Sequence, residues 1–542
     1  MGQLSAGRRR RELGLACLFA ALVSVVSLQK PFHADEPAFV LQAEQAARDP
    51  RHPLDYTLNW YGTAEPARDL AAHSVAVGYL LAPAIRAAKG SEVVARALLL
   101  PVDVLAAAAL YTLAAAFLAE PLLPALLVVA SPAWTLAMPP LMVEKWIVCL
   151  ALLAFACLLR EAQSRKPGWR WAAAALAGAA ATLKLTGAFA ILPLAALLRR
   201  RKASWAEIGF FCAACAALPA VDLLWLEPWR PGVMAGISGE VKRGFAAEVH
   251  RLRALAAFPS GCAPFLLALP WLTLGGSRRR RLSVSVAAAA AAVALFLPAL
   301  DRHGTVRLVD RLCGVAFAAA TFGCAARLLE ERSRRLPGWS VWAAWLAPAT
   351  LLAWANWFVS GRSILLALPA FVFACAERLE AEVPAARLRR ACAAALPCVL
   401  ALSAALSAVD LRFASAQKEL ASEVGALAAR EGARVWFTGH WGLQYYLEKA
   451  GARAIDAARG GWSVARPGDV VVWTEVSPNK VAPEGITVRA AAAAFRSPIP
   501  LRLMNLDRTQ AGFYSSEWGF LPYSISLEPL DEATIGRVAA SR

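Results

Sequence analysis

The sequence predicts a polytopic α-helical membrane protein of about thirteen spans, carrying a small C-terminal α/β domain. Three observations lead there. The 542 residues are 58% hydrophobic and only 18% charged, with a mean hydropathy of +0.48, which is far less polar than a soluble chain of this size. The apolar residues come in runs of about twenty, the length that crosses a hydrocarbon core. The arginines gather in short clusters at every second gap between those runs, the pattern of a positive-inside membrane protein. The net charge of +18 is therefore a topological signal, and nucleic acid is excluded as a partner.

Arg8, Arg9, Arg10 and Arg11 precede the first run, roughly 13–29, and put the N-terminus in the cytoplasm. No small-residue cleavage site follows, so this run reads as an uncleaved span. Residues 30–93 form a long first outer loop, in which 73–88 reads as a helix along the interface because Pro83 and Arg86 interrupt it as a span. Span two covers roughly 94–118, and a turn at Glu120 and Pro121 leads to span three, ending near 138. Span four starts near Lys145. Short spans five and six, 171–184 and 185–198, flank TLKLTG. Span seven is 205–226, and an outer loop follows to about 254. Spans eight to twelve alternate around Arg278–Arg281, DRHGTVR, RLLEERSRR and FVSGRS, and span thirteen is 391–409. Six inner segments then carry four or more Lys or Arg each, and all six histidines fall outside or in the tail.

The division is thus 1–409 for the membrane part and 410–542 for an extracytoplasmic domain. In the latter, 414–432 has helical spacing, RVWFTG (434–439) and GDVVVWTE (468–475) read as strands, and HWGLQYYLEKAG (440–451) reads as a helix stopped by glycine. The eleven cysteines lie almost all in apolar runs and none is in the tail. They read as small buried hydrophobes, including the Cys212–Cys215 CxxC inside a predicted helix.

The chemistry concentrates in FHADEPAF (32–39), which sets Asp35 and Glu36 at the outer membrane edge. They are either solvated flanking residues or a general base poised at a cavity mouth. His33 with Asp35 offers too few ligands for a closed metal site, and no metal is assigned. Lys184, an ionisable group between two short spans, either faces a cavity or snorkels to the headgroups. Arg362 is either a bidentate phosphate clamp or a headgroup anchor, and Arg96 and Lys145 are weaker versions of the same idea. Trp60 and Tyr61, in NWYG of the first outer loop, are the aromatic residues best placed to meet a sugar. Trp225, Trp229 and Trp357 read as an interfacial belt.

Taken in order, these segments resemble the GT-C superfamily of polyprenyl-phosphate-sugar-dependent transferases, such as protein O-mannosyltransferases and the lipid A aminoarabinose transferase. FHADEPAF resembles its Asp-Glu motif. AHSVAVGYLL (72–81) resembles its His-Pro-Pro-Leu-Tyr segment, SEVVARALLLP (91–101) its Arg-Leu-Pro entry, and PLMVEKWIVCLALLAFACLL (140–159) its second-acid segment. LAGAAATLKLTGAFAILPLAALLRRR (176–201) resembles its Leu-Thr-Lys-x-x-Gly segment, and SGRSILLALP (360–369) its Arg-Tyr segment. The departures are the absent prolines after His73, Ser363 in place of Tyr, and Glu144 in place of the commoner Asp.

The resemblance implies a glycosyltransferase of a bacterial inner membrane. It would move a sugar from a polyprenyl-phosphate donor to an outer-side acceptor (glycan, lipid or protein) with inversion. It implies Asp35 as the base, with Glu36 as an acceptor-orienting residue or plain neighbour. Arg362, Lys184 and Arg96 would bind donor phosphate, and Glu144, His73, Trp60 and Tyr61 would support the site. A cofactor is not implied, and a divalent metal is left open. A transporter or flippase of lipid-linked sugars, or a non-catalytic scaffold of the same fold, stands as the alternative.

Overall fold

A computed structural model of the chain describes residues 5–70, 74–222, 244–267, 278–301, 304–356, 358–477, 479–484, 486–505 and 508–539. His73, Trp225, Trp229 and Trp357 lie outside the described residues.

Helix α1 (Ala6–Val25) starts at Ser5, whose hydroxyl accepts the Arg8 N–H, so the basic cluster forms its first turns. The first loop folds as α2 (Glu36–Arg48), a small hairpin of β1 (Thr57–Asn59) and β2 (Ala64–Pro66), α3 (Ala67–Leu70) and α4 (Ala76–Ala88). The interfacial helix expected over 73–88 is α4, and Pro83 lies within it. Helix α5 (Glu92–Phe117) is capped by the Ser91 hydroxyl and matches expected span two.

Expected span three is two pieces, α6 (Leu122–Ala130) and α7 (Pro132–Ala137). Pro132 brings no N–H to the ladder, and Ser131 leaves the helix and caps α7 instead. Helix α8 (Val143–Ser164) covers expected span four. Expected spans five and six coincide with α9 (Gly168–Leu183) and α10 (Ile191–Arg200), joined through extended Lys184 and a 3-10 stretch, Leu185–Ala190. Helix α11 (Trp205–Val221) opens with a capping box between Ser204 and Glu207. Then come α12 (Phe245–Cys262), α13 (Arg278–Phe296), a hairpin of β3 (Leu300–Asp301) and β4 (Gly304–Thr305), α14 (Leu308–Leu329), α15 (Glu331–Arg334), α16 (Trp339–Ala355), α17 (Gly361–Glu380) and α18 (Ala385–Glu431).

Among the described residues, three helices are each long and apolar enough to cross a bilayer, namely α5, α14 and α18. The rest of the expected spans are shorter or carry charged turns, and α9 with its 16 residues reaches only about 24 Å. Several of the expected spans are thus broken or unequal helices.

One end of the helical body gathers charge. Arg8 and Arg389 both pair with Glu120 at 2.6 Å, Glu380 accepts the Ala119 and Glu120 N–H groups, and Arg378 pairs with Glu330 at 3.0 Å. The other end carries the start of α5, α8 and α17 and the close of α1. Apolar side chains fill the space between, with Trp134, Trp342 and Trp345 fully buried and Phe155 stacked on Trp345 at 4.7 Å.

Helix α18 runs 47 residues without a break, through the expected boundary at 409/410. It joins expected span thirteen to the expected tail helix. Beyond it lie β5 (Val435–Phe437), α19 (Gly442–Lys449), β6 (Arg453–Ala454), β7 (Val470–Thr474), β8 (Val488–Phe495), β9 (Leu501–Arg502), β10 (Ser524–Ile525) and β11 (Asp531–Val538). The main sheet has the order β6-β5-β7-β11-β8. Its first three strands are parallel, and β11 pairs antiparallel with β7 and β8. Residues between β8 and β11 leave the sheet and enter the helical core. There Phe513, Tyr514, Phe520 and Leu521 are buried, and Tyr523 packs edge-on against Phe317 of α14.

Candidate active site at the ends of three helices

The stretch 30–36 turns sharply out of α1. Ala34 adopts a left-handed φ of 50°, which a side chain disfavours, and Asp35 and Glu36 follow directly. Asp35 is the N-cap of α2, yet its side chain makes no capping bond. Its carboxylate instead reaches the Arg362 guanidinium at 2.8 Å and stays about one-third exposed (34%). Arg362 stands in the first turn of α17, and a second nitrogen reaches the Met142 sulfur, the N-cap of α8, at 3.2 Å. Glu144 follows in the first turn of α8 and pairs with Lys184 at 3.0 Å. The positive ends of α2, α8 and α17 thus converge on one spot with two cations.

The two adjacent acids have separate fates. Glu36 is fully buried, and each of its oxygens accepts two bonds. Oε1 takes Arg96 at 2.7 Å and the Leu141 N–H at 2.8 Å, and Oε2 takes Arg96 at 3.0 Å and the His33 N–H at 2.9 Å. Burial raises the Glu36 carboxyl, but the Arg96 guanidinium outweighs it and holds the group below the usual carboxylate range. A buried carboxylate with four donors has no room to take a proton from an acceptor, whereas the Asp35 carboxylate is partly exposed.

Arg96 and Arg362 diverge in the same way. Arg96 uses all five N–H groups, on Glu36 twice and on the carbonyls of Lys30, Pro31 and Pro139. It has no N–H left over for an anion such as the donor phosphate expected of it. Arg362 is as deeply buried, but its Nε has no partner among the described residues, and its sulfur contact is weak. It keeps donors for an incoming oxyanion. Lys145, the weaker candidate, is enclosed inside the helices against Asp103 at 3.1 Å.

Behind Asp35 lies a buried network that the sequence did not announce. Lys30 donates to Asp410 at 2.5 Å and to the Tyr514 hydroxyl at 2.9 Å, and Tyr514 bonds Asp410 at 2.8 Å. His33 sits 3.9 Å from Asp410, its ring edge-on to Phe413, Tyr514 and Trp441. Burial, and then the Lys30 charge, lower the His33 pKa to about 4, so the ring is neutral at physiological pH. Asp410 is the first residue past expected span thirteen, where an acid reads as a solvated flank. Tyr514 had no sequence signal.

Trp441 holds a φ of 67°, rare for so large a residue, and packs between His33 and Trp518. Trp60 lies with its ring 4.3 Å from His440, which leads on to Trp441. Tyr61 is mostly exposed on the first loop. Among the described residues, no group of three or more His, Cys, Asp or Glu side chains is placed to hold a metal ion.

No protein-family model matches the chain, and no curated protein does. Solved structures do show likeness. ArnT from Cupriavidus metallidurans in the apo state superposes with a TM-score of 0.40 at 15% identity, covering 85% of this chain and 92% of that one. The same protein bound to undecaprenyl phosphate gives 0.36 at 12%, covering 87% and 94%. The archaeal oligosaccharyltransferase AglB from Archaeoglobus fulgidus, in complex with an inhibitory peptide and a dolichol-phosphate, gives 0.44 at 13%, covering 84% and 66%. At these scores the likeness carries no argument, and the reading of the site rests on its own geometry.

Proposed function

We propose that the chain is a membrane glycosyltransferase that moves a sugar from a polyprenyl-phosphate donor to an acceptor hydroxyl on the extracytoplasmic side. The observation that carries this reading is the Asp35–Arg362 pair at 2.8 Å, set where three helix N-termini meet and beside the Glu144–Lys184 pair. A polyprenyl-phosphate sugar presents a phosphate and an anomeric carbon within a few ångströms of each other. The site offers a guanidinium with uncommitted donors, and a carboxylate bonded to it.

In this reading the donor phosphate engages Arg362, with Lys184 adding charge at the edge. That competes with Asp35 for the guanidinium and frees the carboxylate for the acceptor. The acceptor O–H gives its proton to Asp35 as its oxygen bonds the anomeric carbon. The bond from that carbon to the phosphate oxygen breaks, and the polyprenyl phosphate leaves with its charge on Arg362. Attack opposite the leaving group inverts the anomeric centre. Glu36 and Arg96 position the Asp35 turn, and Glu144 orients Lys184. Placing the site on the outer side follows from the arginine clusters at the far ends of the same helices, and the bacterial inner membrane is the setting that this orientation fits.

The test is Asp35→Asn in purified protein with a labelled polyprenyl-phosphate sugar. Loss of a base of this kind lowers turnover by about a hundredfold or more. Normal transfer by a folded, correctly inserted Asp35→Asn enzyme would remove the mechanism.

A further inference from the structure

A hollow that neither Asp35 nor Arg362 lines opens between α2, α4, the 89–91 turn and α19, with a volume of about 510 Å³. Its floor is apolar, with Phe32 and Ile85 buried there. Its walls carry Arg48, Arg86, Lys89 and Lys449 against one carboxylate, Glu44. Lys449 already pairs with Glu44 at 3.1 Å, which neutralises both. Arg48, Arg86 and Lys89 have no ion pair or side-chain hydrogen bond among the described residues. Three uncompensated cations around one cleft repel each other and focus a positive field into it.

The position of the cleft says which anion fits. Ser91, the cap of α5, lines it, so the positive end of a 26-residue helix points the same way. That helix is one of the three long and apolar enough to cross a bilayer. Its first turns expose Val93, Val94 and Leu98, and α4 exposes Tyr79 and Leu80. Bare apolar surface therefore begins where the basic cleft ends. Gly90 follows Lys89 with a φ of 88°, so the turn that carries Lys89 to the rim needs a residue without a side chain.

We infer that this cleft is a binding site for the phosphate headgroup of an anionic membrane lipid, whose chains run along the exposed apolar face of α5. The inference is independent of glycosyl transfer and rests only on the reading of the chain as a membrane protein. The bound headgroup bridges α2 and α4 of the first loop to α19 of the tail, and so ties together the two segments that meet behind Asp35.

The experiment places the full-length protein in nanodiscs of mixed phosphatidylglycerol and phosphatidylcholine, then counts lipids retained through detergent by native mass spectrometry. The wild type retains phosphatidylglycerol over phosphatidylcholine. Each lost cation weakens retention roughly fivefold, so the double variant Arg86→Gln with Lys89→Gln falls about 25-fold. Arg48→Gln, on a different helix, gives the single step and stands in should the double variant not fold. Arg362→Gln retains lipid like the wild type. Equal retention by the folded cation variants overturns the site, as does loss in Arg362→Gln, which would place the lipid at Arg362 instead. Complete displacement by equimolar inorganic phosphate also overturns it, since the cleft would then bind free phosphate and not an amphiphile.

Discussion

Arg362 and Arg96 are both buried arginines paired to an acid of the same dipeptide, and they have opposite expected phenotypes. Arg96→Gln leaves Glu36 charged and enclosed, which costs about 3–5 kcal/mol. Such a protein should melt far below the wild type in a thermal scan or fail to accumulate. Arg362→Gln leaves Asp35 one-third exposed and able to hydrate, so the fold should survive with a small shift. Its transfer rate should nevertheless fall by about a hundredfold or more, because the leaving phosphate loses its clamp. Equal melting losses in the two variants would refute the division of roles. The sequence shows that two acids stand at 35 and 36 and that arginines stand at 96 and 362. It does not show that Leu141, His33 and three carbonyls close around the first pair, because those partners come from segments far apart in the chain.

At the scale of elements, hydropathy placed most helices to within a turn, since an apolar stripe sets helix position whatever the tertiary detail. Its failures have particular causes. Strand β8, VRAAAAAF, is alanine-rich, a composition depleted in strands, and is held by its pairing to β11 along eight residues. The start of α17 depends on a neighbour that no local pattern reveals. The Gly361 N–H donates to the Phe513 carbonyl at 2.7 Å, and a Cβ on residue 361 would fall within the Phe513 ring. Gly361→Ala should therefore displace the turn that presents Arg362 and destabilise by about 1–3 kcal/mol. The readout is a rise in KM for the donor together with a lowered Tm, and an unchanged KM would show that the helix start absorbs the ring.

Strand β11 carries a pH signature of its own. Asp531 is buried, and burial lifts its carboxyl to about 7 although the Val476 and Glu532 N–H groups donate to it. In the unfolded chain the same group titrates near 4. Between those values the folded protein keeps a proton that the unfolded chain has released. Stability therefore falls as pH rises from about 4 to 7, by at most about 1.4 kcal/mol per pH unit, and levels off above. Asp531→Asn should remove that component, flattening the Tm profile across the window. A variant with the wild-type slope would assign the pH dependence elsewhere.

For the molecule as a whole, the question is whether the membrane part and the tail are two units, as the composition change near 410 suggests. Helix α18 passes through that point unbroken, and Asp410 is buried in it, holding Lys30 and Tyr514 from opposite ends of the chain. The segment between β8 and β11 then returns to the helices, where the Ser516 N–H donates to the Val359 carbonyl and the Val359 N–H to the Ser516 hydroxyl, two residues before α17 begins. Hydropathy cannot see this return, since a soluble domain's own core would read the same. The dependence is strong in energetic terms. Burying Phe513, Tyr514, Trp518, Phe520, Leu521 and Tyr523 contributes roughly 10 kcal/mol, comparable with the entire stability of a typical domain. A chain ending at residue 409 should therefore give no monodisperse peak on size exclusion in detergent, and adding residues 410–542 as a separate polypeptide should restore it only in part, because α18 would be cut at its buried ion pair. A 1–409 fragment that is monodisperse and melts like the full chain would show that the helices stand alone and that the returning segment merely rests on them.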